Sequence, residues 1–170
     1  MVTVRPATTA DAGAIARVQV ETWRAAYTGL IPEEVIAGFD LESRLRMWDE
    51  ALSRERAGSA VFVAEADGVV IGFSSVGAWS QEGEAVDGVG ELFAIYVSSE
   101  HWGTGAGREL IDRAEQSLRE SGFTEARLWV IEGNGRAERF YRAAGWEADG
   151  RRVDTLRGAE VPEIRYRKAL

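Results

Sequence analysis

The chain has 170 residues, 45% of them hydrophobic, with 28 acidic against 20 basic side chains and a net charge of −8. That length and apolar content predict a single domain spanning 1–170 with an adequate core, and the acidic balance argues against a nucleic-acid partner while mildly favouring a cationic substrate. The absence of cysteine excludes disulfides, thiolate metal sites and a cysteine nucleophile. No apolar run approaches about 20 residues and Met1 to Pro6 lacks a leader pattern, so a cytoplasmic protein with no membrane partner is expected.

Taken in order, Val2 to Arg5 alternates as a first strand, and Thr8-Thr9-Ala10-Asp11 is an N-capping signal into a helix whose Ala14, Ile15, Val18 and Thr22 share a face. The helix runs on toward Trp23 and Tyr27 until Thr28-Gly29 breaks it. Pro32-Glu33-Glu34 opens a second helical stretch, followed by Leu41, Leu45, Trp48 and Leu52 on one stripe. Val61 to Ala66 and Val69 to Val76 are strands joined by Asp67-Gly68, a two-residue hairpin signal. Gly77 to Gly88, polar and acidic, reads as a loop containing Trp79.

The stretch from Gly90 to Ser121 is the most patterned. Leu92 to Val97 predicts a strand buried on both faces. Leu110, Ile111, Ala114 and Leu118 then mark one side of a helix, with Glu109, Asp112, Arg113, Glu115 and Arg119 on the other. Between strand and helix lies Gly103-Thr104-Gly105-Ala106-Gly107, a turn that leaves backbone N–H groups and a helix N-terminus facing one spot suited to a phosphate. A P-loop is excluded because Arg108 and Glu109 follow the last glycine, and a dinucleotide fingerprint because Arg108 stands where its third glycine belongs. Downstream, Glu125 to Val130 is a strand, Asn134 to Ala144 a helix closed by Gly145, and Trp146 to Val153 and Glu163 to Arg167 are two strands separated by a turn around Arg157-Gly158. Hairpins mixed with strand–helix–strand crossovers predict an α/β (α+β) fold in which helices cover a mixed sheet.

Two blocks carry a family resemblance. Glu91 to Leu110, with Tyr96-Val97 ahead of the glycine turn, resembles the acetyl-CoA pyrophosphate loop of the GNAT superfamily of N-acetyltransferases. Leu128-Trp129-Val130, Asn134, Ala137, Phe140, Tyr141, Gly145 and Trp146 resemble its later strand and helix. One position departs: aligned on Gly105 and Gly107, Trp102 occupies the start of the signature, where Gln or Arg is usual.

The resemblance implies a GNAT-like, mainly antiparallel sheet and acetyl-CoA as cosubstrate. It implies that Ile95, Tyr96 and Val97 pair through their backbone with the pantetheine arm. Gly103, Thr104, Gly105, Ala106, Gly107 and Arg108 would surround the pyrophosphate, and Asn134 would reach the pantetheine. It also implies Tyr141 as the general acid and Glu91 as the base, against an alternative in which each is structural. The acceptor, a small-molecule or peptide amine, would be walled by Trp23, Tyr27 and Trp79, although such aromatics also serve cores. Direct attack of an amine on a thioester requires no metal. Family members often form homodimers, which leaves pairing of this chain open. A noncatalytic acyl-CoA sensor or interaction domain on the same fold is the alternative.

Overall fold

Residues 1–170 are described by a computed structural model. Its elements in chain order are β1 (Val2–Pro6), α1 (Ala12–Tyr27), α2 (Glu33–Ala37), α3 (Leu41–Leu52), β2 (Ala60–Ala66), β3 (Val69–Gln81), β4 (Glu84–Val97), α4 (Ala106–Glu120), β5 (Glu125–Ile131), α5 (Gly135–Ala143), β6 (Glu147–Leu156) and β7 (Ala159–Ala169), with two short 3-10 turns. The strands form one sheet in the order β1-β2-β3-β4-β5-β7-β6. Every neighbouring pair is antiparallel except β4 and β5. No helix is long and apolar enough to cross a membrane.

Local sequence chemistry sets the corners. Asp67, Glu82 and Arg157 all have positive φ and each is followed by a positive-φ glycine, the backbone that a two-residue hairpin requires. The Glu82-Gly83 corner corrects the loop expected over Gly77 to Gly88, because β3 runs on to Gln81 and β4 starts at Glu84. Acidic and small residues hid an extended hairpin there. Thr8 donates its backbone N–H to Asp11 at 2.7 Å, and Asp11 in turn takes the Arg5 guanidinium at 2.8 Å, so the signal read before α1 is a working cap. Gly145 closes α5 with Trp146 N–H on the Tyr141 carbonyl and its own N–H on Arg142.

Two helical layers bury the sheet. On one face Ile15, Ala16 and Val18 of α1 and Trp48 of α3 pack with Val63, Val70 and Phe73. The Trp48 indole donates to Gln19 at 2.8 Å, so the stripe on α3 buries its one large polar-tipped ring with a partner. Leu41 and Leu45 of that stripe stay exposed, because α3 touches the core only through its C-terminal half, at Trp48 and Leu52. On the opposite face Ile111, Ala114 and Leu118 of α4 pack with Val76, Leu92, Leu128 and Tyr166.

One residue assigned to the polar side of α4 is buried. Glu115 is 4% exposed and accepts Trp146 Nε1 at 3.0 Å and Lys168 Nζ at 2.8 Å. Lys168, the only lysine of the chain, also donates to the Ala144 carbonyl at the end of α5. Its ammonium therefore ties β7 to both helices of that face. Removing it leaves the buried carboxylate with only the Trp146 indole and Arg119 at 3.3 Å, a loss of about 2 kcal/mol. In chemical denaturation Lys168→Met should lower the unfolding free energy by about that amount, and Glu115→Gln added to it should recover part of the loss.

Candidate active site

The site begins where two strands part. β4 pairs with β5 only through Val89, Gly90 and Glu91, opposite Glu125, Ala126 and Arg127. Beyond that point β4 remains bonded to β3 on one side while its other edge is free. The register slips between Ser75 and Val76, so Phe93 is an extra residue in β4, and it is 54% exposed. This corrects the expectation of a strand buried on both faces. The run is apolar because it walls a cavity.

That cavity, of about 390 Å³, lies in the gap and is lined by Leu92 through Val97 on one side and by Trp129, Val130, Asn134, Arg136, Ala137, Phe140 and Tyr141 on the other. Its size falls within the range of small-molecule sites. Its polar end is the glycine turn. Gly103 and Gly105 have φ of +77° and +93°, and a Cβ at either would meet nothing within 4 Å, so their surroundings are open. The first bond of α4 runs from Glu109 N–H to the Gly105 carbonyl. The N–H groups of Ala106, Gly107 and Arg108 therefore have no intrahelical acceptor. Gly107 has a second reason to be glycine, since its Cβ would stand 3.2 Å from the Phe140 ring. Gly103, Gly105, Gly107 and Arg108 line the cavity, whereas Thr104 turns its hydroxyl to the His101 carbonyl and Ala106 is buried behind. These open, unpaired donors on a helix N-terminus fit a phosphate group.

At the start of α5, Asn134 caps the helix by accepting Ala137 N–H at 3.3 Å, which leaves its amide NH₂ for the cavity. Tyr141 is 9% exposed and lines the same cavity, packed on Phe140, Trp146 and Tyr166. Its hydroxyl has no partner within the chain, and burial holds its pKa well above the ordinary phenol value while nearby Arg136 opposes that rise.

The sequence-named aromatics take different places. Tyr27 and Tyr96 line the cavity. Trp23 stands behind them, stacked on Phe39 with centroids 4.1 Å apart and donating its indole N–H to the Tyr96 hydroxyl at 3.1 Å. Trp79 does not line the cavity. It is 5% exposed and stacks on Trp129, which does. Glu91, on the last paired residue of β4, lies just outside the lining. Burial pushes its pKa up to about 7, opposed by Arg152 and helped by Glu163. Glu163, on β7, is itself raised by burial and is held by Arg152 at 2.9 Å.

Nothing in the sequence marks Arg136 as a site residue, and Trp129 and Glu163 enter there only as strand residues. Alternation along Arg127, Trp129 and Ile131 would have put Trp129 on the face of the α1 side. Nothing local marks Glu163, whose role depends on β7 lying beside β5.

An open-edged strand, a glycine turn at a helix N-terminus and a buried phenol thus face one cavity across a split sheet. Residues 20–146 match the model of the acetyltransferase (GNAT) family, and the chain belongs to it. It is an N-acetyltransferase. The chain is 38% identical over 135 residues to the uncharacterized N-acetyltransferase YuaI of Bacillus subtilis, covering 79% of this chain and 74% of the relative. It is 34% identical over 121 residues to the L-amino acid N-acyltransferase MnaT of Escherichia coli, covering 70% and 64%. The structure of the PaiA N-acetyltransferase of Thermoplasma acidophilum in complex with coenzyme A is similar, with a TM-score of 0.77 and 22% identity over 100% of this chain and 99% of that one. The expected sheet, mainly antiparallel and flanked by helices, is the one observed.

Proposed function

We propose that this N-acetyltransferase uses acetyl-CoA to acetylate a primary amine by direct attack, with Tyr141 as acid and Glu91 as base. The observation that carries the reading is that the unpaired edge of β4, the open amides of the glycine turn and the unpartnered Tyr141 hydroxyl all line one cavity. The coenzyme A in the Thermoplasma relative supports the cosubstrate, and the amino-acid N-acyltransferase among the relatives supports an amine acceptor.

Acetyl-CoA, when bound, supplies the activated acetyl group as a thioester. The chain holds the diphosphate through the amides of Ala106, Gly107 and Arg108, whose partial charges and the α4 dipole add about 0.3–2 kcal/mol for a helix end taken alone. Backbone groups of Ile95 face the free edge of β4 and are open to the amides of the pantetheine arm, whereas those of Tyr96 are turned to Phe73 and Gly72 of β3. The Val97 carbonyl is already taken by the Trp102 indole at 2.7 Å, so Val97 contributes through packing and its N–H. Asn134 NH₂ faces the same arm.

A lysine-like amine of pKa ~10.4 costs roughly 4.6 kcal/mol to deprotonate at pH 7, whereas an α-amine near ~8 costs about 1.4. A carboxylate that titrates near 7 is matched to that work, and Glu91 is one. On the other reactant, moving a proton fully from an ordinary phenol at ~10 to a thiolate at ~8.5 is uphill by about 2 kcal/mol. Burial makes Tyr141 a weaker acid still. Its phenol therefore acts by donating a hydrogen bond as charge develops on sulfur, rather than by losing its proton.

Three measurements test the parts separately. Wild-type kcat/KM should fall as pH drops through about 7, where Glu91 takes up its proton, and Glu91→Gln should lower the rate and erase that limb; an unchanged profile removes Glu91 from the mechanism. Tyr141→Phe should cut kcat about 10²-fold with coenzyme A affinity unchanged, and wild-type turnover would exclude the acid. Gly105→Val, a β-branched residue at a φ of +93°, should weaken coenzyme A binding at least about tenfold in calorimetry. Unaltered affinity would place the diphosphate elsewhere.

A further inference from the structure

The cavity holds one cation that the chain does not neutralise. Arg136 lies in the first turn of α5, and its guanidinium carbon stands 3.5 Å from the centroid of the Trp102 ring. That ring belongs to the opposite arm, directly before Gly103, and is fixed by its own N–H on the Val97 carbonyl. Both side chains line the cavity. The contact thus reaches across the gap between β4 and β5, at the end where the glycine turn presents its amides.

Other arginines beside the site are occupied. Arg108, the last residue of the turn, folds its guanidinium along α4 onto Asp112 at 3.1 Å and is exposed there. Arg152 is held by Glu163 at 2.9 Å. Arg136 has no carboxylate among the groups acting on it; burial opposes its charge, and only the phenols of Tyr27 and Tyr141 favour it. A guanidinium that is open to solvent, laid on an aromatic face at the cavity and without a counter-ion is arranged for an anion that arrives from outside. The demand is sharpened by the net charge of −8, which repels a polyanionic ligand until a local cation receives it.

We propose that Arg136, held flat by Trp102, supplies the cationic side-chain contact to the diphosphate of the acyl-CoA cosubstrate, with Trp102 as its positioning residue. The assignment rests on acyl-CoA being the ligand of this cavity. The turn supplies neutral amide donors; Arg136 adds charge-assisted ones from the facing arm, which clamps the diphosphate between the start of α4 and α5. In this arrangement the Trp102 position acts through a stacked arginine rather than through a polar group of its own.

Calorimetric titration of purified wild type, Arg136→Gln, Trp102→Leu and the double variant with coenzyme A, dephospho-coenzyme A and pantetheine separates the contributions. Arg136→Gln should weaken coenzyme A and dephospho-coenzyme A about tenfold or more and leave pantetheine within about twofold. Trp102→Leu should show the same ligand split, and should cost little further in the Arg136→Gln background because the two act as one unit. Wild-type affinity for coenzyme A in Arg136→Gln overturns the proposal. So does a loss shared equally by pantetheine, which marks a structural role, or a loss confined to coenzyme A, which moves the contact to the 3′-phosphate. A wild-type protein that binds none of the three would overturn the cofactor reading itself, and is told apart from these by failing before any substitution.

Discussion

The parting of β4 from β5 after three paired residues is the constraint on which the site depends. The extra residue Phe93 bends β4, while β5 continues into its antiparallel pairing with β7. Unpaired strand edges inside a sheet are costly unless water or a ligand satisfies them. The gap is therefore the place where the middle of the sheet leaves backbone donors and acceptors unpaired.

Polarity is graded along that gap. One end carries unpaired amides, the start of α4 and the Arg136 guanidinium, all favouring negative charge. The other carries Glu91 and Glu163, whose pKa values burial raises while the one guanidinium of Arg152 opposes the rise in both. Tyr141 sits in the apolar wall with its hydroxyl free. A molecule that is anionic at one end and meets a cation at the other is oriented by this field before any contact is made.

What the sequence disclosed followed from local rules. The glycine turn, the α4 stripe and the Asn134–Tyr141 spacing are encoded within one strand–turn–helix each, and each is observed where expected. What it concealed depends on partners far along the chain. Glu115 reads as a surface acid until Lys168, 53 residues away, is brought beside it. Trp79 reads as a loop residue because the segment around it is acidic, yet the Glu82-Gly83 corner lets that segment continue the sheet and stack Trp79 on Trp129. Arg136 gives no local sign of its setting, because the ring beneath it lies on the far side of the gap.

The last strand in sequence is not the last in space. β7 lies between β5 and β6, so the half of the sheet that carries Trp129, Glu163 and the Lys168 anchor cannot close until residues 159–169 have left the ribosome. β1 through β4, by contrast, pair in sequence order, β1 with β2 across the α1–α3 segment and β2–β3 and β3–β4 as hairpins, and these pairings need nothing downstream. During synthesis the β1–β4 arm can thus assemble while its facing arm is still unfinished, with the apolar wall of β4 bare to chaperones and to other nascent chains until the insertion is complete.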